Sequence, residues 1–198
     1  MNRLRALLRD TAGVTIIEFA IVAPVLLTLI FGVLDLGHGL YMQSVLQGAV
    51  QDAGRDAGLE SGRTAQATID ESVRTSVQAV MPFIPDEDID IKRSNYVTFS
   101  DIGVPEDYDD TNNNDLYDIT ECFTDQNGNG QWDDDIGADG LGGADDVVYY
   151  EVTVGYDRLF PLWSMIGLQQ RATAQATTVM RNQPFGEQAA RKTVRICP

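Results

Sequence analysis

Oxygen-bearing side chains recur at every second position in two short stretches of this chain, a spacing suited to holding a hard cation. The first stretch reads Asp110-Thr111-Asn112-Asn113-Asn114-Asp115-Leu116-Tyr117-Asp118, with Glu121 three residues on. The second reads Asp125-Gln126-Asn127-Gly128-Asn129-Gly130-Gln131-Trp132-Asp133. Counted from the leading Asp, oxygen side chains fall at positions 1, 3, 5 and 9, and position 7 offers a backbone carbonyl. These are ligand positions of a twelve-residue calcium loop, in which alternate residues turn toward one centre. The candidate ligands are Asp110, Asn112, Asn114, Leu116, Asp118 and Glu121 in one loop, and Asp125, Asn127, Asn129, Gln131 and Asp133 in the other. Each loop departs once from the pattern. Position 6 of the first is Asp115 rather than Gly, and position 12 of the second is Ile136 rather than Glu. The missing carboxylate would have to come from Asp134, Asp135, Asp145 or Asp146.

The competing reading is an acidic loop that water solvates. Charge balance argues for a cation. No Lys or Arg occurs between Arg93 and Arg158, while Asp and Glu crowd that stretch. Unneutralised carboxylates should repel one another and hold the segment extended. The whole chain carries a formal charge of -16. That balance argues against nucleic acid as a partner, because phosphate contacts need Lys and Arg.

The elements that must position these loops follow from periodicity. Ile89 to Phe99 and Val147 to Tyr156 read as strands, the latter rich in β-branched and aromatic residues. The acidic insert, about residues 100–146, lies between them. Leu168 to Arg181 alternates small polar and apolar residues and reads as a third strand. Leu159-Phe160-Pro161-Leu162-Trp163 reads as a turn or short helix packing aromatics on the core. Thr64 to Val80 carries Ile69, Val73, Val77 and Val80 at helical spacing and ends at Met81-Pro82. No helix is expected beside either calcium-type loop, so a helix–loop–helix fold is not implied. Helices followed by an antiparallel sheet make the fold class α+β. Cys122 and Cys197 lack CxxC spacing, so a zinc site is not expected. In an exported chain two such cysteines often pair, and in a cytosolic one they usually stay free, so topology decides.

The N-terminus bears on that question. Arg3, Arg5 and Arg9 precede an apolar run from Val14 to Leu34, broken only by Thr15, Glu18 and Thr28. As a helix the run is roughly 31 Å long, enough for a bilayer core of about 30 Å. Basic residues before it and acidic residues after it put the N-terminus inside and the domain outside. Pro24 is tolerated in a membrane helix. A cleaved secretory signal would have a shorter core and a small-x-small cut site, and Asp35-Leu36-Gly37-His38 offers none. Beyond the span, Ala49, Ala53 and Ala57 recur with Gly54 and Gly58 beside them, a stripe that would let neighbouring helices approach. Ser61-Gly62 reads as a break.

A carboxylate inside a span costs about 2.5–3.5 kcal/mol on insertion scales and is usually functional. Here Gly13-Val14-Thr15-Ile16-Ile17-Glu18-Phe19 joins a basic leader to the apolar helix, with Glu fifth after Gly. This resembles the processing motif of type IV prepilins. With Ala20-Ile21-Val22-Ala23-Pro24 following, the segment over about residues 9–60 resembles the TadE family of the tight-adherence (Flp-type) pilus system. Residues 177–185 resemble a stretch near the end of such proteins more weakly. The resemblance implies a minor pseudopilin cut between Gly13 and Val14 by a prepilin peptidase. The partners it implies are that peptidase, other pilins and pseudopilins, and inner-membrane pilus assembly proteins. The expected division is a leader at 1–13, a transmembrane and assembly helix at 14–60 and an extracytoplasmic domain at 61–198. The location is the inner membrane, N-terminus cytoplasmic and domain periplasmic or extracellular, with a place in the pilus open to it. In an assembled filament Glu18 would be a buried anion beside a neighbour's Val14 amine, a pairing that sets register more than stability. If the domain is outside, a Cys122–Cys197 bridge would tie tail to insert.

No catalytic set is evident. His38 is the only histidine and lies at the outer end of the span. No glycine-rich phosphate loop follows a strand. Asp70-Glu71-Ser72 lacks the further serine spacing of an adhesion-type metal site. The expectation is a non-enzymatic assembly protein with calcium as its cofactor. The alternative is a single-pass, calcium-dependent surface or adhesion protein outside any filament.

Overall fold

The computed structural model describes residues 12–59, 64–165, 167–188 and 190–198. The basic leader and the expected break at Ser61-Gly62 lie outside the described residues, as do the side chains of residues 12–14. The elements run α1 (Ala12–Ala57), α2 (Gln66–Val80), β1 (Ile89–Tyr96), β2 (Phe123–Asp125), β3 (Ala138–Asp139), β4 (Val147–Asp157), α3 (Leu162–Met165), β5 (Arg171–Arg181) and β6 (Val194–Ile196). One sheet has the order β3-β1-β4-β5, and β2 pairs with β6 in a second. The fold class is α+β, as the periodicity predicts.

The chain divides into two compact units. One is α1 up to Tyr41 with Tyr156–Ala172, and the other is Met42–Gly155 with Thr173–Pro198. In the first unit α1 is apolar on every side, and large side chains from Ile16 to Leu34 are exposed. The helix runs through Pro24, whose carbonyl accepts the Thr28 hydroxyl at 2.7 Å. By length and composition it can cross a membrane. The segment 156–172 docks on the C-terminal end of the apolar run. Asp35, buried, accepts Trp163 Nε1–H at 2.8 Å, the Leu159 amide at 3.1 Å and the Arg158 guanidinium at 3.2 Å. Arg158 also sits over the Trp163 ring, and Phe160 stacks on Phe31.

In the second unit α1 becomes one-sided. Met42, Leu46, Val50, Ala53 and Ala57 form a buried stripe at helical spacing, and Ile69, Val73 and Val77 do the same on α2. Val148, Tyr150, Val152 and Val154 of β4 alternate inward with Ala174 and Ala176 of β5. Asp70 of α2 takes Arg93 of β1 and the hydroxyl of Tyr150 on β4, joining helix to sheet. Burial beside Asp70 raises the Tyr150 phenol well above its ordinary value. The pairing β1–β4 is antiparallel, from Ile89↔Val154 to Tyr96↔Val147.

Three expectations need correction. The strand from Ile89 stops at Tyr96, because Thr98 and Asp101 cap each other and turn the chain at Phe99–Asp101. The strand expected from Leu168 begins at Arg171, after a turn closed by Leu168 N–H to the Trp163 carbonyl. The alanine–glycine stripe does not stand free for a neighbouring subunit: Gly54 and Gly58 lie against Thr178 and Met180 of β5 in the same chain.

That contact makes a test. Ala normally gains about 1 kcal/mol over Gly inside a helix. A Cβ on Gly54 would lie 2.7 Å from Thr178 Cγ2 and 3.1 Å from Met180 Cε. Overpacking of that kind costs about 1–3 kcal/mol, so crowding outweighs propensity. Gly54→Ala should lower the unfolding midpoint of the solubilised protein. Gly48→Ala, with open space around it, should not. Equal effects would remove the close approach as the reason for Gly54.

Candidate functional site

The acidic insert is compact, not extended. Backbone amides donate to its carboxylates. Each calcium-type loop is wound on its leading Asp: Asp110 accepts the amides of Asn114 and Asp115, and Asp125 those of Gly128 and Gly130. The next oxygens repeat the device in both loops. Asn112 accepts from Asn114 and Asn114 from Leu116, while Asn127 accepts from Asn129 and Asn129 from Gln131. The two amides of each loop donate to its ninth residue, Asp118 or Asp133. Such loops need left-handed backbone at positions 4 and 6. Gly128 and Gly130 supply it at φ 82 and 79, and Asn113 and Asp115 reach φ 58 without glycine. The departure at Asp115 therefore does not change the loop's path.

The sequence reading missed Glu106. In the first loop Glu121 Oε1 accepts the amide of position 2, Thr111, at 2.7 Å, and Oε2 that of position 9, Asp118, at 3.0 Å. In the second loop Glu106 Oε1 accepts from position 2, Gln126, at 2.6 Å, and Oε2 from position 9, Asp133, at 3.4 Å. Both carboxylates are 1% exposed. Glu106 thus occupies, from nineteen residues ahead of Asp125, the place that Glu121 fills from behind. No local spacing announces it. The only hint is a Glu after Pro105, at the head of the acidic run Glu106-Asp107-Tyr108-Asp109-Asp110.

The loops face each other through their eighth residues. Tyr117 and Trp132 stack at 4.7 Å, and Tyr108 meets both edge-on. Trp132 Nε1–H donates to the Glu106 carbonyl. Chain segments 104–109 and 122–136 are laced by amide bonds, including Glu106 N–H to Asp133 O and Thr124 N–H to Asp107 O. A Cys122–Cys197 disulfide joins this lattice to the C-terminal strand, with β2 and β6 in register from Phe123↔Ile196 to Asp125↔Val194. These three-residue strands escaped the sequence reading because they are too short to show alternation.

The other candidate carboxylates are engaged elsewhere or stand at the margin. Asp145 pairs with Arg181, and Asp146 accepts from Gly143 N–H and Gln188, so neither completes the second loop. Asp135 accepts the Tyr96 hydroxyl and the Gly137 amide. Burial, with Asp135 adding to it, raises the Tyr96 phenol far above its ordinary value. Asp134 lines a cavity of about 430 Å³ with Asn127, Asn129 and Asp133. Among the described residues no three His, Cys, Asp or Glu side chains converge as a ready metal cluster. The donor set of each loop is instead half carboxylate and half amide or carbonyl. All-oxygen donors of this mix suit Ca²⁺, and half a turn of each Asn amide exchanges its nitrogen for its oxygen.

On α1, Glu18 is exposed along the bare part of the helix. Gly13 and Val14 lie on the helical backbone. The imidazole Nε2 of His38 is enclosed without a hydrogen-bond partner.

Residues 13–55 match the TadE-like protein family, so the resemblance read from Gly13, Glu18 and Pro24 holds over that segment. No curated protein and no solved structure matches the chain.

The amides of Asp115 and Asn114 hold the Asp110 carboxyl below its ordinary 3.8. A carboxyl lowered in the folded state stabilises fully above 3.8 and loses that contribution as pH falls through the depressed value. The Asp115 and Asn114 amide resonances should therefore titrate together with a midpoint below 3.8. A midpoint at or above it would contradict the winding of the loop on Asp110.

Proposed function

We propose that this protein, built on a TadE-like segment, is a minor pseudopilin of a tight-adherence pilus. It is cut after Gly13 by a prepilin peptidase and takes part in pilus assembly through its N-terminal helix. The observation that carries the reading is the family match at residues 13–55, which contains Gly13 and the Glu five residues after it. A continuous helix from Ala12 that is apolar on all sides supports it. The mechanism is assembly. Glycine at the cut site lets the peptidase approach the backbone, and the new Val14 amine meets the Glu18 carboxylate of a neighbouring subunit. Other pilins, pseudopilins and inner-membrane assembly proteins are the partners, with the second unit outside the cytoplasm. The disulfide accords with that side of the membrane.

Coexpression with a prepilin peptidase should yield protein beginning at Val14, by N-terminal sequencing and intact mass. Gly13→Leu should leave it uncut, and Glu18→Gln should leave it cut but poorly assembled. A chain that keeps its first thirteen residues beside an active peptidase would favour the alternative, a surface protein anchored by the same helix.

The insert's role in this reading is calcium binding at two loops, which would stiffen the outer domain. Support comes from the matched placement of Glu121 and Glu106, each spanning positions 2 and 9 of its loop. Asp110, Asn112, Asn114, the Leu116 carbonyl, Asp118 and Glu121 would hold one ion. Asp125, Asn127, Asn129, the Gln131 carbonyl, Asp133 and Glu106 would hold the other. Calorimetric titration of the full chain should show two calcium sites and a raised unfolding midpoint. Glu121→Gln and Glu106→Gln should each abolish one site. Unchanged stoichiometry in Glu106→Gln would remove it from the ligand set, and an unmoved unfolding midpoint would remove calcium altogether.

A further inference from the structure

We infer that the turn formed by residues 158–165 and 167–168 is seated in the outer leaflet of the membrane, with Leu159, Met165 and Leu168 toward lipid and Phe160 and Trp163 packed against the helix. The inference rests on α1 being a membrane span. Depth is the first argument. Phe31 lies about 26 Å along the helix from Val14, within a hydrocarbon core of about 30 Å. Phe160 stacks on Phe31 with ring centroids 4.6 Å apart, so the turn reaches the depth of that helix residue. If the apolar run spans the bilayer, this part of the turn cannot stand in water.

Backbone chemistry is the second argument. Chain at such depth must satisfy its own polar groups, because lipid offers no partners. The turn does so for its backbone amides at 158, 159, 165 and 168, while Arg158 Nε and Gln170 Oε1 are left without a partner. Arg158 N–H donates to the Gln170 carbonyl, and the Gln170 amide donates to the carbonyls of Arg158 and Phe160. Leu159 N–H goes to Asp35, Met165 N–H and the Ser164 hydroxyl to the Pro161 carbonyl, and Leu168 N–H to the Trp163 carbonyl. The charges are handled likewise. Arg158 and Asp35 neutralise one another, and the Trp163 N–H is spent on the same carboxylate.

Surface is the third argument. With Arg158 and the Trp163 N–H turned toward Asp35, the turn presents Leu159, Met165 and Leu168 outward at 55%, 78% and 52% exposure, beside the exposed Ser164, whose hydroxyl is spent on the Pro161 carbonyl. They continue the bare apolar surface of the span, where Val33 and Leu34 are also exposed. Residues 159–165 contain no charged side chain, and a Trp at the water–lipid boundary is typical of membrane anchors. A lipid leaflet continuous with the one around α1 is therefore the occupant this face fits.

Trp132→Phe leaves Trp163 as the single tryptophan of the chain. Reconstituted in vesicles of brominated phosphatidylcholine, that protein should lose most of the emission it shows in the unbrominated lipid, at every protein-to-lipid ratio. A second chain, Trp132→Phe with Trp163→Phe and Phe19→Trp, reports the span itself. Quenching of the Phe19→Trp chain alone would overturn the seating of the turn and leave the span intact. Emission of Trp163 that is quenched only on dilution into excess lipid would assign the face to a second copy and overturn it also. Loss of quenching in both chains would remove the span and the inference together.

Discussion

A helix that is apolar all round cannot stay in water, and a helix with one apolar stripe cannot stay in lipid. Helix α1 is both in turn. Through Leu34 its large side chains other than Phe31 are bare, while from Met42 a single row enters a core. The remaining structure is arranged around that change. The turn at 156–172 serves the first part with aromatic rings and a buried ion pair, and the sheet serves the second with small residues. Asp35, one residue after the apolar run, accepts from Arg158, Leu159 and Trp163 and so ties the turn to the place where the change begins.

The second unit shows how much acid a domain can hold when backbone amides are turned toward it. Thirty acidic residues against fourteen basic ones leave few ion pairs to be made. Arg93 with Asp70 and Arg195 with Asp109 are among them, and both tie separate elements together. In the insert the work passes to N–H donors, at least two backbone amides each for Asp110, Asp125, Glu106 and Glu121, which stabilise the charged form. Paired loops, a stacked Tyr117–Trp132 and a disulfide then hold the shape that hydrophobic burial alone would not. The same geometry gathers oxygen ligands, which is why structural and metal-binding readings converge on the same residues.

Much was legible along the chain. The run from Val14 to Leu34, the Gly13 and Glu18 spacing, the helix at Gln66–Val80 and the strand at Val147–Asp157 follow from local composition and period alone. So do the two oxygen-spaced loops, since alternate positions in one turn are near each other in any fold. Pairings distant in sequence were not legible. Glu106 belongs to a loop that begins at Asp125, Gly54 is required by Thr178, and Phe160 lies on Phe31. Each depends on chain paths that close over many residues, and a period of 2 or 3.6 carries no information about them. Sequence thus determined which segments prefer an apolar surround, helix or strand, and where oxygen side chains recur. Tertiary structure decided which partners they meet, because burial and long-range amide bonds choose among carboxylates and glycines that are locally equivalent.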